Sequence, residues 1–210
     1  IGSDDFLDGD KILINGEIEI YAPTGNLQLK VRSVKKHGLG DISIEIERLR
    51  QRLEHEGLFA LARKRDIPLF PQTICVITSE NSSAWEDIKK VITMRYPLVK
   101  LILIPTLMQG ENCIKDVCNS IDIANKESLG DIILLSRGGG SEEDLMPFNS
   151  EKIVRFIFAS KIPIVTGIGH EDDNTLSDYV ADKRGLTPTG AAQIITPDIN
   201  DLKTEINRIL

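Results

Sequence analysis

After a break marked by Pro68 and Pro71, short apolar runs alternate with longer amphipathic stretches: residues 74–78 then 84–96, 101–104 then 111–126, 132–135 then 150–160, and 164–165 then 174–181. Alternation on this scale predicts β-α-β units. The runs are apolar throughout rather than at every second position, as parallel strands covered on both faces require. The expected fold is therefore α/β, a doubly wound and mostly parallel sheet over residues 71–197.

Upstream the pattern changes. Residues 12–21 and 27–34 read as two strands around Pro23, Thr24, Gly25 and Asn26, which supply turn chemistry. An isolated hairpin is marginal in water, so residues 1–40 are expected to be a remnant of a larger β module or to pack on the main domain. Asp41 is expected to cap a connector helix within residues 41–70, because Ile42, Ile46, Leu49 and Leu53 recur at i, i+4, i+7 and i+11 until Gly57. At the far end, residues 198–210 place Ile199, Leu202, Ile206 and Leu210 on one helical stripe that stops in mid-pattern, as the start of a coiled coil would. The chain opens on Ile1 rather than Met, the expectation for a piece of a longer protein.

Composition narrows the class. Of 210 residues, 41% are hydrophobic and 27% charged, which is ordinary globular usage rather than that of a disordered or low-complexity chain. No apolar run approaches the ~18–20 residues that span a bilayer, and the N-terminus lacks a basic stretch followed by an apolar one. No membrane association is expected, and the expected location is cytoplasmic. Cys75, Cys113 and Cys118 have no CxxC spacing and read as buried thiols. A net charge of -7 argues against coating nucleic acid by overall charge. Between residues 30 and 65, however, ten Lys or Arg (30, 32, 35, 36, 48, 50, 52, 63, 64 and 65) stand against five Asp or Glu (41, 45, 47, 54 and 56).

In an open α/β sheet, ligands bind beyond the carboxyl ends of the strands. The unusual polar residues fall there: Ser79 after the first strand, Arg137-Gly138-Gly139-Gly140-Ser141 after the third, and Gly169-His170-Glu171-Asp172-Asp173 after the fourth. Arg137 is a permanent cation, and three residues without side chains let backbone N–H groups approach an anion closely, so this run reads as a phosphate cradle. It is not a P-loop, since GxxxxGK[ST] occurs nowhere, and no GxGxxG follows the first strand. His170 can give or take a proton near neutral pH, and Asp173 stands three residues on, where it can orient the ring. Asp87, four residues after Ser83, suits a helix N-terminus and lies toward the same edge. An Asp, an Arg and a His in one cleft can position a phosphodiester, stabilise its developing charge and activate water. The residues alone leave two alternatives open. One is a non-catalytic phosphate- or nucleotide-binding regulatory module, and the other is a metal-dependent hydrolase using His170, Glu171 and Asp173.

Two long segments, RGGGSEEDLMPFN over residues 137–149 and GHEDDNTLSDYVADKRGLTP over residues 169–188, resemble the large subunits of exodeoxyribonuclease VII. The resemblance extends from about residue 16 to the end. It implies a bacterial cytoplasmic nuclease that cuts single-stranded DNA from either end into oligonucleotides. It also implies an N-terminal OB-fold, of which residues 1–40 would be the remnant, and a C-terminal coiled coil, begun at residue 198, that binds the small subunits of the same nuclease. By motif, Asp87, Arg137, His170 and Asp173 would be catalytic, with Ser79, Gly138, Gly139, Gly140 and Ser141 binding phosphate. Such enzymes are not uniformly dependent on a divalent metal, so the resemblance implies no required cofactor while leaving room for Mg2+.

Overall fold

In a computed structural model, which describes residues 12–21, 25–36, 39–139, 142–169 and 174–209, the apolar runs become strands of one parallel sheet. The chain divides into two units, Ile1–Arg52 and Leu53–Leu210. In the first, β1 (Ile12–Tyr21) and β2 (Asn26–Lys36) form an antiparallel hairpin with a register shift at Asn15 and Gly16. Ile18 pairs with Leu29 and Ile20 with Leu27, all at least 50% exposed, whereas Glu19 and Glu17 on the other face bind Lys30 and Arg32. Helix α1 (Leu39–His55) begins two residues before the expected cap, which places Asp41 inside the helix rather than at its cap. Gly57, at φ +81°, ends it as expected: its N–H bonds Glu54 O and that of Leu58 bonds Leu53 O.

The second unit runs β3 (Thr73–Thr78), α2 (Ser83–Arg95), β4 (Lys100–Pro105), α3 (Cys113–Lys126), β5 (Ile132–Ser136), α4 (Glu151–Ala159), β6 (Ile164–Gly167), α5 (Leu176–Val180), β7 (Lys183–Arg184), α6 (Pro188–Ile194) and α7 (Ile199–Ile209). The five strands lie in the order β4-β3-β5-β6-β7, every neighbouring pair parallel. The chain thus steps outward from β3 to β4 and then returns past β3 to β5. That reversal is the switch point at which doubly wound sheets open a crevice.

Alternation sorts the strand side chains onto two covered faces. Ile74, Val76, Ile132, Leu134 and Val165 join Ile88 and Ile92 of α2 and Ala191 and Ala192 of α6 in one buried cluster. The intervening Cys75, Ile77, Ile133 and Leu135 are equally buried, on the side where α3 packs against β3 and α4. Each fully buried Ile or Leu contributes about 1.5–3 kcal/mol of transfer free energy. β4, at one edge, is only half-buried along Leu101–Ile104 despite its unbroken apolarity.

Three further features position the site. Ser82 caps α2 by accepting from Trp85 N, so that helix starts immediately beyond β3. Thr187 caps α6 by accepting from Gly190 N at 3.0 Å, with Pro188 at the first helical position. Helix α6 lies directly on the sheet because Gly167 and Gly185 have no side chains. A Cβ on Gly185 would fall 2.3 Å from Ala191 N, and one on Gly167 would fall 2.9 Å from Ala191 Cβ. In α7, Ile199 and Leu202 are half-buried, whereas Ile206 and Ile209 are exposed; Leu210 lies outside the described residues. Among the described residues, no helix is long and apolar enough to cross a membrane.

Candidate active site

Arg137 leaves β5 at the switch point. Its N–H donates to Gly167 O at 3.2 Å, and the Ser136 hydroxyl donates to the same carbonyl at 2.9 Å, so the exits of β5 and β6 are tied together. The Arg137 side chain is 5% exposed, and its Nη2 donates to Asp144 Oδ2 at 2.8 Å. Arg137, Gly138 and Gly139 form one wall of a cavity whose other walls are Ile168 and Gly169 after β6, and Leu186, Thr187 and Pro188 leading into α6. With a volume near 30 Å³, it has room for a water or two, the size of a slot for oxygens of a single anionic group rather than for a nucleotide.

The loop and α2 share this location. A Cβ on Gly138 would stand 3.4 Å from Ser83 Oγ, so the glycine loop passes against the first turn of α2. The positive end of the α2 dipole therefore faces the backbone of the glycine loop, which favours an anion there.

The other expected site residues are distributed as follows. Ser79 occupies the same sheet edge but a neighbouring cavity of about 300 Å³, with Glu80, Asn81, Leu107 and Asp116, and its hydroxyl donates to Thr106 O at 3.1 Å. Asp87 is exposed on α2, one turn after Ser83 and on the same face of the helix, and is not among the residues lining the Arg137 cavity. His170, Asp173, Gly140 and Ser141 lie outside the described residues, as does Glu171. Among the described residues, no three His, Cys, Asp or Glu side chains gather as metal ligands.

Asp144, Thr187 and Pro188 belong to this region and were not singled out from the sequence. Thr187-Pro188 carries a helix-start signal that could have placed it; Asp144 is one acid among three in a row and carries no distinguishing signal.

The basic stretch is largely occupied by local partners. Lys30, Arg32 and Arg50 pair with Glu19, Glu17 and Glu47, and the last carboxyl is held down to about 2 by its bonds to Arg50 and Gln51. Arg63 stacks over the Phe158 ring at 4.4 Å. Lys64 donates to Tyr179 O and Ala181 O, and burial lowers its pKa against the opposing pull of Asp182. Arg65 binds Asp182 at 3.0 Å and also reaches Ser160 O and Ile157 O. Arg63, Lys64 and Arg65 thereby tie residues 63–65 to the end of α4 and to the stretch around Asp182. The three cysteines are free and buried, and desolvation pushes Cys75 up to about 12 and Cys113 up to about 11, which makes them poor nucleophiles.

Residues 58–210 match the family model described as "Exonuclease VII, large subunit". The chain is 45% identical over 194 residues to the exodeoxyribonuclease 7 large subunit of Bacillus subtilis (strain 168), covering 92% of this chain and 43% of that protein. It is 44% identical to the protein of that name from Acholeplasma laidlawii (94% and 44% covered) and 40% identical to that from Thermoanaerobacter pseudethanolicus (95% and 50% covered). The chain thus spans about half the length of the curated relatives it matches.

Proposed function

The chain belongs to the exonuclease VII large-subunit family, and on that premise we propose that it forms the catalytic part of a nuclease hydrolysing phosphodiester bonds of single-stranded DNA. The nuclease works from either end and releases oligonucleotides. The single observation that supports this most is Arg137: a nearly buried arginine lining a small cavity, followed by a glycine loop that passes against a helix N-terminus. Such a site suits a phosphoryl oxygen whose charge grows in the transition state.

In this reading Arg137 stabilises that charge, and backbone N–H groups of Gly138, Gly139, Gly140 and Ser141 contact the phosphate. Ser79 guides the strand along the sheet edge. His170 moves the proton of the attacking water, Asp173 orients its ring, and Asp87 completes the acidic side of the cleft. The reaction in this reading requires no cofactor, and Mg2+ can assist it. Residues 1–40 are the end of an OB-fold, 41–70 a connector, 71–197 the catalytic domain, and 198–210 the beginning of a coiled coil that recruits small subunits of the same nuclease. The exposed Ile18, Ile20, Leu27 and Leu29 suit a hairpin with more β structure to join, and the exposed Ile206 and Ile209 suit a helix with a partner. The setting is the cytoplasm.

The test is turnover of single-stranded DNA labelled at the 5′ or 3′ end by the full-length protein with its small subunit, with chelator and with Mg2+. Cleavage from both ends that Arg137→Ala abolishes supports the reading. Binding without turnover in both metal conditions would instead make this a phosphate-binding module.

A further inference from the structure

Arg137 sits where a charge is costly. At 5% exposure a guanidinium needs an anion or acceptors within reach, and the carboxylate of Asp144, 32% exposed, accepts from it at 2.8 Å. The pair spans the glycine loop: Arg137 precedes it at the end of β5, and Asp144 follows it in the 3-10 helix Glu142–Asn149. That helix is fixed from behind. Asn149 Oδ1 accepts from Leu176 N at 2.9 Å, Phe148 O accepts from the Ser177 hydroxyl at 2.6 Å, and Phe148 is fully buried. The backbone that carries Asp144 is therefore anchored to α5, by contacts that do not pass through the loop. A fixed carboxylate selects one conformation from the many open to an arginine side chain.

We propose that Asp144 is a positioning residue, holding Arg137 on the cavity so that a scissile phosphate meets a guanidinium already oriented. The proposal rests on the phosphodiester reading above. Asp144 is not among the residues lining the cavity, and a carboxylate in contact with a phosphate would repel it, so its effect passes through Arg137. Preorganisation of this kind acts on the chemical step, since the guanidinium need not reorient as charge develops.

The experiment is steady-state digestion of labelled single-stranded DNA by the full-length enzyme, with Asp144→Ala, Asp144→Asn, Arg137→Lys and the double variants. Misplacing a charge-stabilising group by about 1 Å costs up to ~10²-fold, so Asp144→Ala should lower kcat by about 10- to 100-fold with KM changed less than about threefold. Asp144→Asn, which keeps an acceptor oxygen in place, should recover at least part of that loss. In the Arg137→Lys background, which lacks the planar fork, either Asp144 change should cost less than about twofold more, the non-additivity expected of coupled residues. Equal losses in the two backgrounds, or an unchanged kcat in both single Asp144 variants, overturn the proposal. Should Asp144→Ala not fold, the Asp144→Asn cycle decides by the same criterion. If Arg137→Ala and Arg137→Lys themselves digest DNA at the parental rate, the reading of the site falls rather than the role of Asp144 alone.

Discussion

Gly185→Ala tests how α6 is placed. The added Cβ would lie 2.3 Å from Ala191 N, 2.4 Å from its Cα and 2.6 Å from its Cβ, where ordinary contact begins at 3.4 Å. Both sides of the collision are backbone, so no rotamer change relieves it and α6 must retreat by about 1 Å. Overpacking costs typically 1–3 kcal/mol and sometimes more. A retreat also opens a gap against Ala191, Ala192 and Ile195, all at most 1% exposed, and a gap of 0.5–1 Å forfeits roughly a quarter to a half of each contact's attraction. We therefore expect about 3 kcal/mol of destabilisation. With a urea dependence of about 2 kcal/mol per molar, the midpoint falls by about 1.5 M. Trp85, the single tryptophan, packs against the same cluster, and its fluorescence reports the transition. Gly139→Ala is the control, since nothing stands within 4 Å of its added Cβ, and it should change stability by less than about 0.5 kcal/mol. A midpoint for Gly185→Ala within about 0.3 M of the parent would refute the close approach of helix and sheet.

Asp182→Ala should destabilise the protein by about 3 kcal/mol, because its buried carboxylate accepts from Ile164 N, Arg65 N and Arg65 Nε, and the partial exposure of Arg65 keeps the cost at the low end for a buried pair; a thermal scan showing no fall in Tm would contradict this. The thiols of Cys75 and Cys113 are raised from 9.0 to about 12 and about 11, so the stability they contribute is present below about pH 9 and is lost as pH rises beyond it, where unfolded thiols ionise and folded ones do not. Urea midpoints at pH 8 and 10.5 should show this decline, and Cys75→Ala should flatten it. His170→Ala in the full-length enzyme should lower turnover by ~10²–10⁴-fold while sparing DNA binding, and a parental rate would remove the proton-transfer role.

The sheet was legible because β3 and β5 are enclosed on both sides, and enclosure leaves an unbroken apolar run of four residues in each. The same signal did not distinguish β4, whose Leu101 to Ile104 are as apolar as the central strands yet only half-buried at the edge. Apolarity of a run records what may cover it, whereas strand order depends on which way each crossover turns. β7 was invisible for a simpler reason: Lys183 and Arg184 are too few to show a period, and they pair with β6 because Asp182 bonds Ile164 and fixes the register. Helix α6 was missed because its buried residues are Ala191 and Ala192, small residues that give no apolar stripe.

That last omission explains why only part of the site could be read. Arg137, Gly138 and Gly139 mark a candidate anion site by residue type, a cation beside residues whose backbone an anion can approach, and the structure places all three on one cavity. The opposite wall, Leu186 to Pro188, has no chemical signature; it reaches the cavity because α6 can rest on bare backbone at Gly167 and Gly185. Nothing in the residues around those two glycines indicated that a helix beginning 51 residues beyond Arg137 would press against them. Side-chain chemistry is thus written locally, while the shape that confines it is set by close approaches of backbone, one of them between β6 and a helix that begins 21 residues after it. Substitutions at Gly185 should accordingly impair catalysis by widening the slot, even where Arg137 and its partner Asp144 are untouched.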